Sequence, residues 1–314
     1  MSVLVKTKRP AFGAALAFSA ALLFGLNAST TKVVMAAGVS PEQIVLFRSF
    51  STALIACLIM MATNPKSFIV KKHEWKFLIA FGVIGVALMQ WSYSNAVKNL
   101  PVGIALLIEY TAIIIVPLAS FLLFKERPAR KLWFGVALVL GGLMVVSKIW
   151  DSQLNPVGIL FAFSAAIFLS VYFIMGEKSQ QSRDPVSTLF YTMLVSSVFW
   201  ILFSNWRDFD QSITSKAIDL DGNLAGIFVP AWLLIIWIGV LGSFAPMFFS
   251  FVALGHLKAT SVGVISTAET VFAFIFGYLW LGEKMEFLQL IGGTLVIAGI
   301  IVAQISRGKT LGNH

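Results

Sequence analysis

The sequence predicts an all-α integral membrane protein of about ten transmembrane helices, built as two inverted five-helix repeats. Three observations predict it: a composition too apolar for a soluble fold, a series of apolar runs of spanning length, and an internal duplication whose units each hold an odd number of runs. Of the 314 residues, 58% are hydrophobic and 12% charged, with a mean hydropathy of +0.89. Soluble domains have roughly 45–50% apolar and about 25% charged residues. A spanning helix needs roughly 20 apolar residues, so the chain has room for on the order of ten spans and little else.

Apolar runs lie at about 11–35, 43–62, 76–97, 101–124 and 131–149, then at 156–176, 186–204, 230–254, 259–281 and 287–305. The breaks between them carry turn residues: Gly38-Val39-Ser40-Pro41, Thr63-Asn64-Pro65, Arg127-Pro128, Asn155-Pro156 and Asp184-Pro185. The longest connection, from about Asn205 to Gly226, is polar and holds Asp208, Asp210, Asp219 and Asp221. Lys6, Lys8 and Arg9 before the run Ala11 to Leu26 also fit a secretory signal peptide. Against that stands a repeat: Gly13-Ala-Ala-Leu-Ala-Phe-Ser-Ala-Ala21 reads closely like Gly158-Ile-Leu-Phe-Ala-Phe-Ser-Ala-Ala166.

The repeat continues along the chain. Gly82-Val-Ile-Gly85 matches Gly239-Val-Leu-Gly242, Glu126 matches Glu283, and Gly135 and Gly142 match Gly292 and Gly299 at one constant offset. The first helices have a slightly smaller offset, and the long loop before Pro230 supplies the difference. Residues 1–150 and 151–314 are therefore read as two five-helix units. With five spans each, the second unit enters the membrane from the opposite side.

Charge agrees with that plan. A cytoplasmic N-terminus gives its side Lys6, Lys8, Arg9, Lys66, Lys71, Lys72, Lys76, Lys125, Arg127, Arg130, Lys131, Lys178, Arg183, Lys258, Arg307 and Lys309. The other side receives Lys98, Lys148, Arg207, Lys216 and Lys284. The asymmetry puts both termini inside, and the expected location is a bacterial inner membrane. The formal charge of +9 lies in short gaps between apolar runs rather than on one basic face, so no nucleic-acid partner is expected. Cys57 is alone, which excludes an intrachain disulfide, and His73, His256 and His314, read as loop or tail residues, lack metal-ligand spacing. No cofactor is expected.

Two stretches carry a family resemblance: Ala96-Val-Lys-Asn-Leu-Pro-Val-Gly-Ile-Ala-Leu-Leu-Ile-Glu-Tyr-Thr-Ala112 running on to Phe124-Lys-Glu-Arg-Pro128, and Ala268-Glu-Thr-Val-Phe-Ala273 running on to Leu281-Gly-Glu283. In order, spacing and duplication the chain resembles the drug/metabolite transporter superfamily, specifically its ten-helix members with two EamA-type repeats. The resemblance implies a secondary transporter whose two halves enclose a central cavity. The Glu109 stretch looks most like members that export amino acids and related metabolites. Where the family often has a proline thirteen residues before the Glu that closes its fourth and ninth helices, this chain has Ile113 and Thr270, and Pro117 lies one turn later. A proline distortion would then move with it.

Charge buried in lipid is costly unless it faces an interior or a partner, so ionisable residues deep in spans are candidates for function. Glu109 lies on a stripe with Ala105, Ala112 and Ala119, and Glu269 on one with Ser266, Ala273 and Gly277. Small-residue faces of this kind meet other helices or a cavity. In the repeat alignment Glu109 corresponds to Ser266 and Ala112 to Glu269. The two carboxylates can hold a substrate ammonium or take up a proton; the structural alternative is that they neutralise Arg48 or Lys32. Arg48, early in the second span, is expected to snorkel to the interface, with a cavity-facing role toward a substrate carboxylate or phosphate as the alternative. The remaining candidates are Gln90, Trp91 and Tyr93 on the third span, Ser243, Phe244, Met247 and Phe248 on the eighth, Tyr110 beside Glu109, and Asn27 and Tyr172 at equivalent positions of the first and sixth. Such a lining is mostly apolar with few polar groups, the usual design of a small-molecule site, and suits a neutral, zwitterionic or aromatic metabolite.

The sequence thus points to a transporter of a small molecule, with an amino acid or related zwitterion leaving the cell by alternating access. Another substrate class (nucleobase, drug-like or sugar-linked) stays open, as does a membrane receptor or assembly factor. Coupling to a proton and facilitated diffusion are both open, as are monomer and homodimer. No Walker A sequence, His-Glu-x-x-His helix or Gly-x-Ser-x-Gly elbow occurs, so neither direct ATP drive nor an intramembrane enzyme is expected.

Overall fold

The structure, a computed structural model, describes residues 9–100, 102–124, 129–147, 150, 155–208, 212–282 and 286–308. The repeat pair Glu126 and Glu283, the cations Lys6, Lys8, Lys125, Arg127, Lys148, Lys284 and Lys309, the Arg127-Pro128 break, Asp210 and His314 lie outside the described residues. Ten long helices are found among them: α1 (Pro10–Ala36), α2 (Pro41–Thr63), α3 (Lys72–Asn99), α4 (Val102–Leu122), α5 (Arg130–Ser147), α6 (Pro156–Ser179), α7 (Pro185–Phe203), α8 (Ala231–His256), α9 (Ala259–Leu279) and α10 (Phe287–Gly308). By length and composition eight of the described helices can cross a membrane, and α10 contains the shorter apolar stretch Leu290–Ala303.

The proline breaks of the sequence become helix starts. Pro at the first helical position forfeits no intrahelical bond, because that N–H has no partner anyway. Ser40 caps α2 reciprocally, accepting from Gln43 N at 3.3 Å while Gln43 Oε1 accepts from Ser40 N at 2.9 Å. Asn155 and Asp184 cap α6 and α7 through their side-chain oxygens, at 2.9 Å each. Gly38, at φ +103°, turns the chain from α1 into α2, a conformation that a β-carbon disfavours. Helix α3 begins earlier than the apolar run, so His73 is helical rather than in a loop, and His256 is the last residue of α8.

The polar connection after α7 is not structureless. It carries a hairpin of β1 (Ala217–Asp219) and β2 (Phe228–Pro230), antiparallel with Ile218 opposite Val229. Asn223 N donates to Trp280 O at 2.8 Å, Asn223 Nδ2 donates to Tyr278 O at 3.1 Å, and Trp280 Nε1 donates to Leu220 O at 2.9 Å. The hairpin thereby supplies donors to carbonyls that the end of α9 leaves open.

Packing follows the duplication. Helix α1 packs on α8 and α9, and its counterpart α6 packs on α3 and α4; α2 packs on its own counterpart α7, and α5 on α10. The glycines of the repeat sit at these contacts in matched pairs. A β-carbon on Gly135 would lie 2.8 Å from Gly299 O, and one on Gly142 would lie 2.7 Å from Gly292 O, so α5 and α10 touch backbone to backbone at two equivalent points. Gly13 lies against His256 and Leu257 at the end of α8, whereas Gly158 lies against Asn99 and Leu100 at the end of α3. Since α3 ends on the face opposite to α8, α6 enters the bundle from the face opposite to α1, as an odd repeat requires. The face where α1 begins is called the near face below, and the one where it ends the far face.

Candidate functional site

Among the described residues four helices depart from regular α geometry, in two equivalent pairs. In α3 residues Phe81–Leu88, and in α8 residues Val240–Phe244, form wide π-type turns. Such turns recur at functional sites because they displace side chains and loosen the hydrogen-bond ladder. Helix α4 breaks after Glu109 and α9 breaks at Thr267. At both breaks a threonine hydroxyl bonds back to a carbonyl three residues earlier, Thr111 to Ile108 O and Thr267 to Val264 O, each at 2.7 Å. The distortion does not move to Pro117, which lies inside the continuing helix Ala112–Phe124. α9 breaks at the matching place with no proline at all.

These helices surround a cavity with about 850 Å³ of empty space, open mouth included. Along α1 it is lined from Phe24 to Met35 and along α3 from Met89 to Val97. Both Met35 and Val97 belong to the last turns of their helices, on the far face. Toward the near face the lining stops at Phe24 on α1, Phe173 on α6 and Ser250 on α8, the last two about 9 Å short of the near ends of their helices at 1.5 Å per residue. Below it the space is filled by Phe81, Tyr172 and Phe251: Tyr172 stacks on Phe251 with centroids 5.4 Å apart, and Phe81 lies 5.8 Å from Phe251. The cavity therefore reaches one face and is sealed from the other.

Of the residues expected at the site, Asn27, Gln90, Tyr93, Glu109, Tyr110, Tyr172, Met247, Ser266 and Glu269 line the cavity. Glu269 Oε2 accepts from Tyr110 OH at 2.6 Å, a bond across the two repeats. Glu109, from the other copy, is buried.

Four expected residues do not line the cavity, for reasons of helical phase. Trp91 sits about 100° around α3 from Gln90. Its indole N–H donates to Glu42 Oε1 at 3.0 Å, and its ring meets Phe161 edge-on at 5.1 Å. Gln90, Tyr93, Ser94 and Val97 share the cavity face at helical spacing. On α8 the cavity face is Met247 and Ser250. Phe244 and Phe248, one turn apart, stack on each other at 5.9 Å along a different stripe, and Ser243 accepts from Thr52 Oγ1 at 3.0 Å behind Met247.

Arg48 corrects a different expectation. It does not snorkel: it is 5% exposed, lines the cavity, and donates through Nη2 to Gly242 O at 3.0 Å in the wide turn of α8. Among the described residues no ion pair joins it to Glu109 or Glu269, although all three face the same space. Lys32 is exposed and not part of the lining. Thr31, Ser94 and Ser250 also line the cavity and were missed; Thr31 was legible, because Phe24, Ala28, Thr31 and Met35 continue one helical stripe past Asn27. Several of these polar atoms have no hydrogen-bond partner: Asn27 Oδ1, Thr31 Oγ1, Arg48 Nε and Gln90 Oε1. Each such buried group costs about 1–3 kcal/mol, and all four belong to residues that line this one space.

A cavity between two inverted repeats, reaching one face only, is the architecture of a carrier. A profile of the EamA-like transporter family matches residues 11–148 and again 156–304. The chain belongs to the EamA-like transporter family. Among its relatives, the uncharacterized transporter YdfC of Bacillus subtilis is 24% identical over 294 residues, covering 93% of this chain and 91% of that one. The pseudopaline exporter CntI of Pseudomonas aeruginosa is 26% identical and covers 95% of this chain and 96% of its own. The threonine/homoserine exporter RhtA of Escherichia coli is 22% identical and covers 76% of this chain and 72% of its own. A solved crystal structure, 19% identical, superposes with a TM-score of 0.73 over 96% of this chain and 99% of that one, which shows the shared fold. The protein is thus an integral membrane transporter of the EamA type, like relatives that carry out export rather than catalysis.

Proposed function

We propose that this EamA-family protein exports an amino acid or a related zwitterionic metabolite from the cell by alternating access, with residues 1–150 and 151–314 as its two moving halves. The observation that carries it is one cavity, reached from the far face alone, that presents a guanidinium and two carboxylates within a mostly apolar lining. Charges of both signs suit a molecule that carries both. Two of the relatives are exporters by name, one of them for threonine and homoserine.

Alternating access draws support from the two copies themselves. On the sealed near side Tyr172 stacks on Phe251, and Gly176 lies against Leu254. In the repeat alignment these residues correspond to Asn27, Ser94, Thr31 and Val97, which line the open far side. The same positions thus meet in one copy and stand apart across the cavity in the other. Exchanging the two arrangements would close the far side and open the near one. With the positive-inside charge pattern, the near face is cytoplasmic, both termini lie inside, and the open state faces outward.

Counterflow of each of the twenty L-amino acids into proteoliposomes tests the proposal, with Glu109→Gln and Glu269→Gln alongside. Wild-type uptake of at least one amino acid, reduced about tenfold or more by either substitution as expected for losing a charged hydrogen-bond partner, supports it. Uptake of none, or uptake indifferent to both substitutions, refutes it. A substrate-dependent change of internal pH separates proton exchange from facilitated diffusion.

A further inference from the structure

We propose that Arg48 is the residue that receives the substrate's carboxylate, making the cavity selective for zwitterions over amines of the same side chain. This rests on the amino-acid export proposed above. The guanidinium is 5% exposed, yet among the described residues its one hydrogen bond goes to a neutral carbonyl, Gly242 O, and its Nε has no partner. A buried charge is stable only when paired or fully hydrogen-bonded. Here Glu109 and Glu269 line the same cavity as Arg48 without closing an ion pair on it, so the guanidinium lacks a charge partner that a guest in the cavity can supply.

The fold itself does not need a cation at this place. Gly82 of α3 lies against Val195 of α7, and the equivalent Gly239 of α8 lies against Ser51 of α2. Counting back three residues from each contact pairs Arg48 with Thr192. Thr192 is fully buried, and its hydroxyl donates to Thr188 O at 2.8 Å, so the same helix packing is achieved with a small, locally satisfied side chain. The carboxylates are equally one-sided: Glu109 is matched by Ser266, and Glu269 by Ala112. Each charge therefore breaks the symmetry of the architecture, and all three of them face one cavity. Thr31, which lines the same cavity, also has a hydroxyl oxygen without a partner. A planar guanidinium fork matches a carboxylate in a way that a lysine ammonium does not.

The test uses radiolabelled L-amino acids in proteoliposomes, each competed by its unlabelled form and by its methyl ester, which keeps the ammonium and lacks the carboxylate. On wild-type protein the ester should compete about 10- to 100-fold more weakly than the acid, the loss expected for one charge-assisted hydrogen bond. Arg48→Gln should weaken the acid by a similar factor while leaving the ester unchanged, and Arg48→Lys should fall between. An ester that competes as well as its acid on wild-type protein overturns the proposal and leaves amino-acid export standing, as does an Arg48→Gln protein with unaltered preference. Wild-type protein that transports none of the twenty amino acids overturns both. If Arg48→Gln is not monodisperse on size exclusion, Arg48→Lys takes its place, a reduced preference for the acid supporting the proposal and an unaltered one overturning it.

Discussion

Replacing Phe251 by Leu tests whether the aromatic cluster is what seals the near side. Leucine keeps an apolar side chain in the site, so the change removes ring contacts rather than opening the large cavity that alanine would leave, for which about 3–5 kcal/mol is typical. Two contacts are lost: the stack on Tyr172 at 5.4 Å and the tilted pair with Phe81 at 5.8 Å. Aromatic pairs contribute about 0.5–1.5 kcal/mol each beyond their buried area, so the sealed arrangement loses about 1–3 kcal/mol in total. If the rings part when the near side opens, that whole difference shifts the equilibrium toward near-open, by roughly 5- to 150-fold. The readout is maleimide labelling, from the near side, of Leu254→Cys in a Cys57→Ser background. Leu254 is buried against Gly176 one turn to the near side of Phe251, in the same closed contact between α6 and α8, and becomes reachable when that contact parts. Phe251→Leu should accelerate labelling within that range. A folded, monodisperse Phe251→Leu protein whose Leu254→Cys labels at the parental rate would show that these rings do not close the near side.

Other positions give further expectations. Tyr110→Phe removes the 2.6 Å bond to Glu269 and, by stripping a partly buried carboxyl of its donor, should cost about 1–3 kcal/mol, read as a lowered midpoint in thermal unfolding in detergent. Gly142→Val places side-chain atoms where a β-carbon alone would lie 2.7 Å from Gly292 O; α5 and α10 must separate, with an expected loss of about 1–3 kcal/mol, and a variant of wild-type stability would refute backbone contact there. At the near face Arg183 bonds Glu74 Oε2 at 2.9 Å, Ser67 O at 2.9 Å and Ser187 Oγ at 2.7 Å. Arg183→Ala should therefore destabilise more than Glu74→Ala, because it strips a mostly buried site of several bonds at once, and equal midpoints would contradict that ordering.

Much of the architecture was legible without coordinates, because membrane insertion imposes local rules. The prolines at 41, 156 and 185 marked breaks between apolar runs, and each proves to be a first helical residue. The repeat glycines were read only as markers of the duplication, and in the structure Gly135, Gly142, Gly292 and Gly299 are where α5 and α10 come together. Side-chain direction was legible only in part. Small-residue stripes around Glu109 and Glu269 identified inward faces correctly, since a face that admits another helix must be lined with small groups. Trp91, Phe244 and Phe248 were grouped with Gln90 and Met247 because they adjoin them in sequence, and adjacency is a poor guide where successive residues turn by 100°. Arg48 was misplaced because a long side chain near a helix end satisfies the same sequence pattern whether it reaches outward or inward.

By itself, then, the sequence determined the membrane class, the ten helices, the duplication and the opposed entry of its two halves, since apolar length, proline placement and parity are properties of the chain read in order. Tertiary structure alone decided which faces of α2, α3 and α8 look inward, that α4 and α9 break beside Thr111 and Thr267 rather than at Pro117, and that an arginine and two carboxylates from separate helices face one space. Those outcomes depend on contacts between residues far apart in sequence. The wide turn at Val240–Phe244, which offers Gly242 O to Arg48 almost two hundred positions earlier, exists only once the helices have packed.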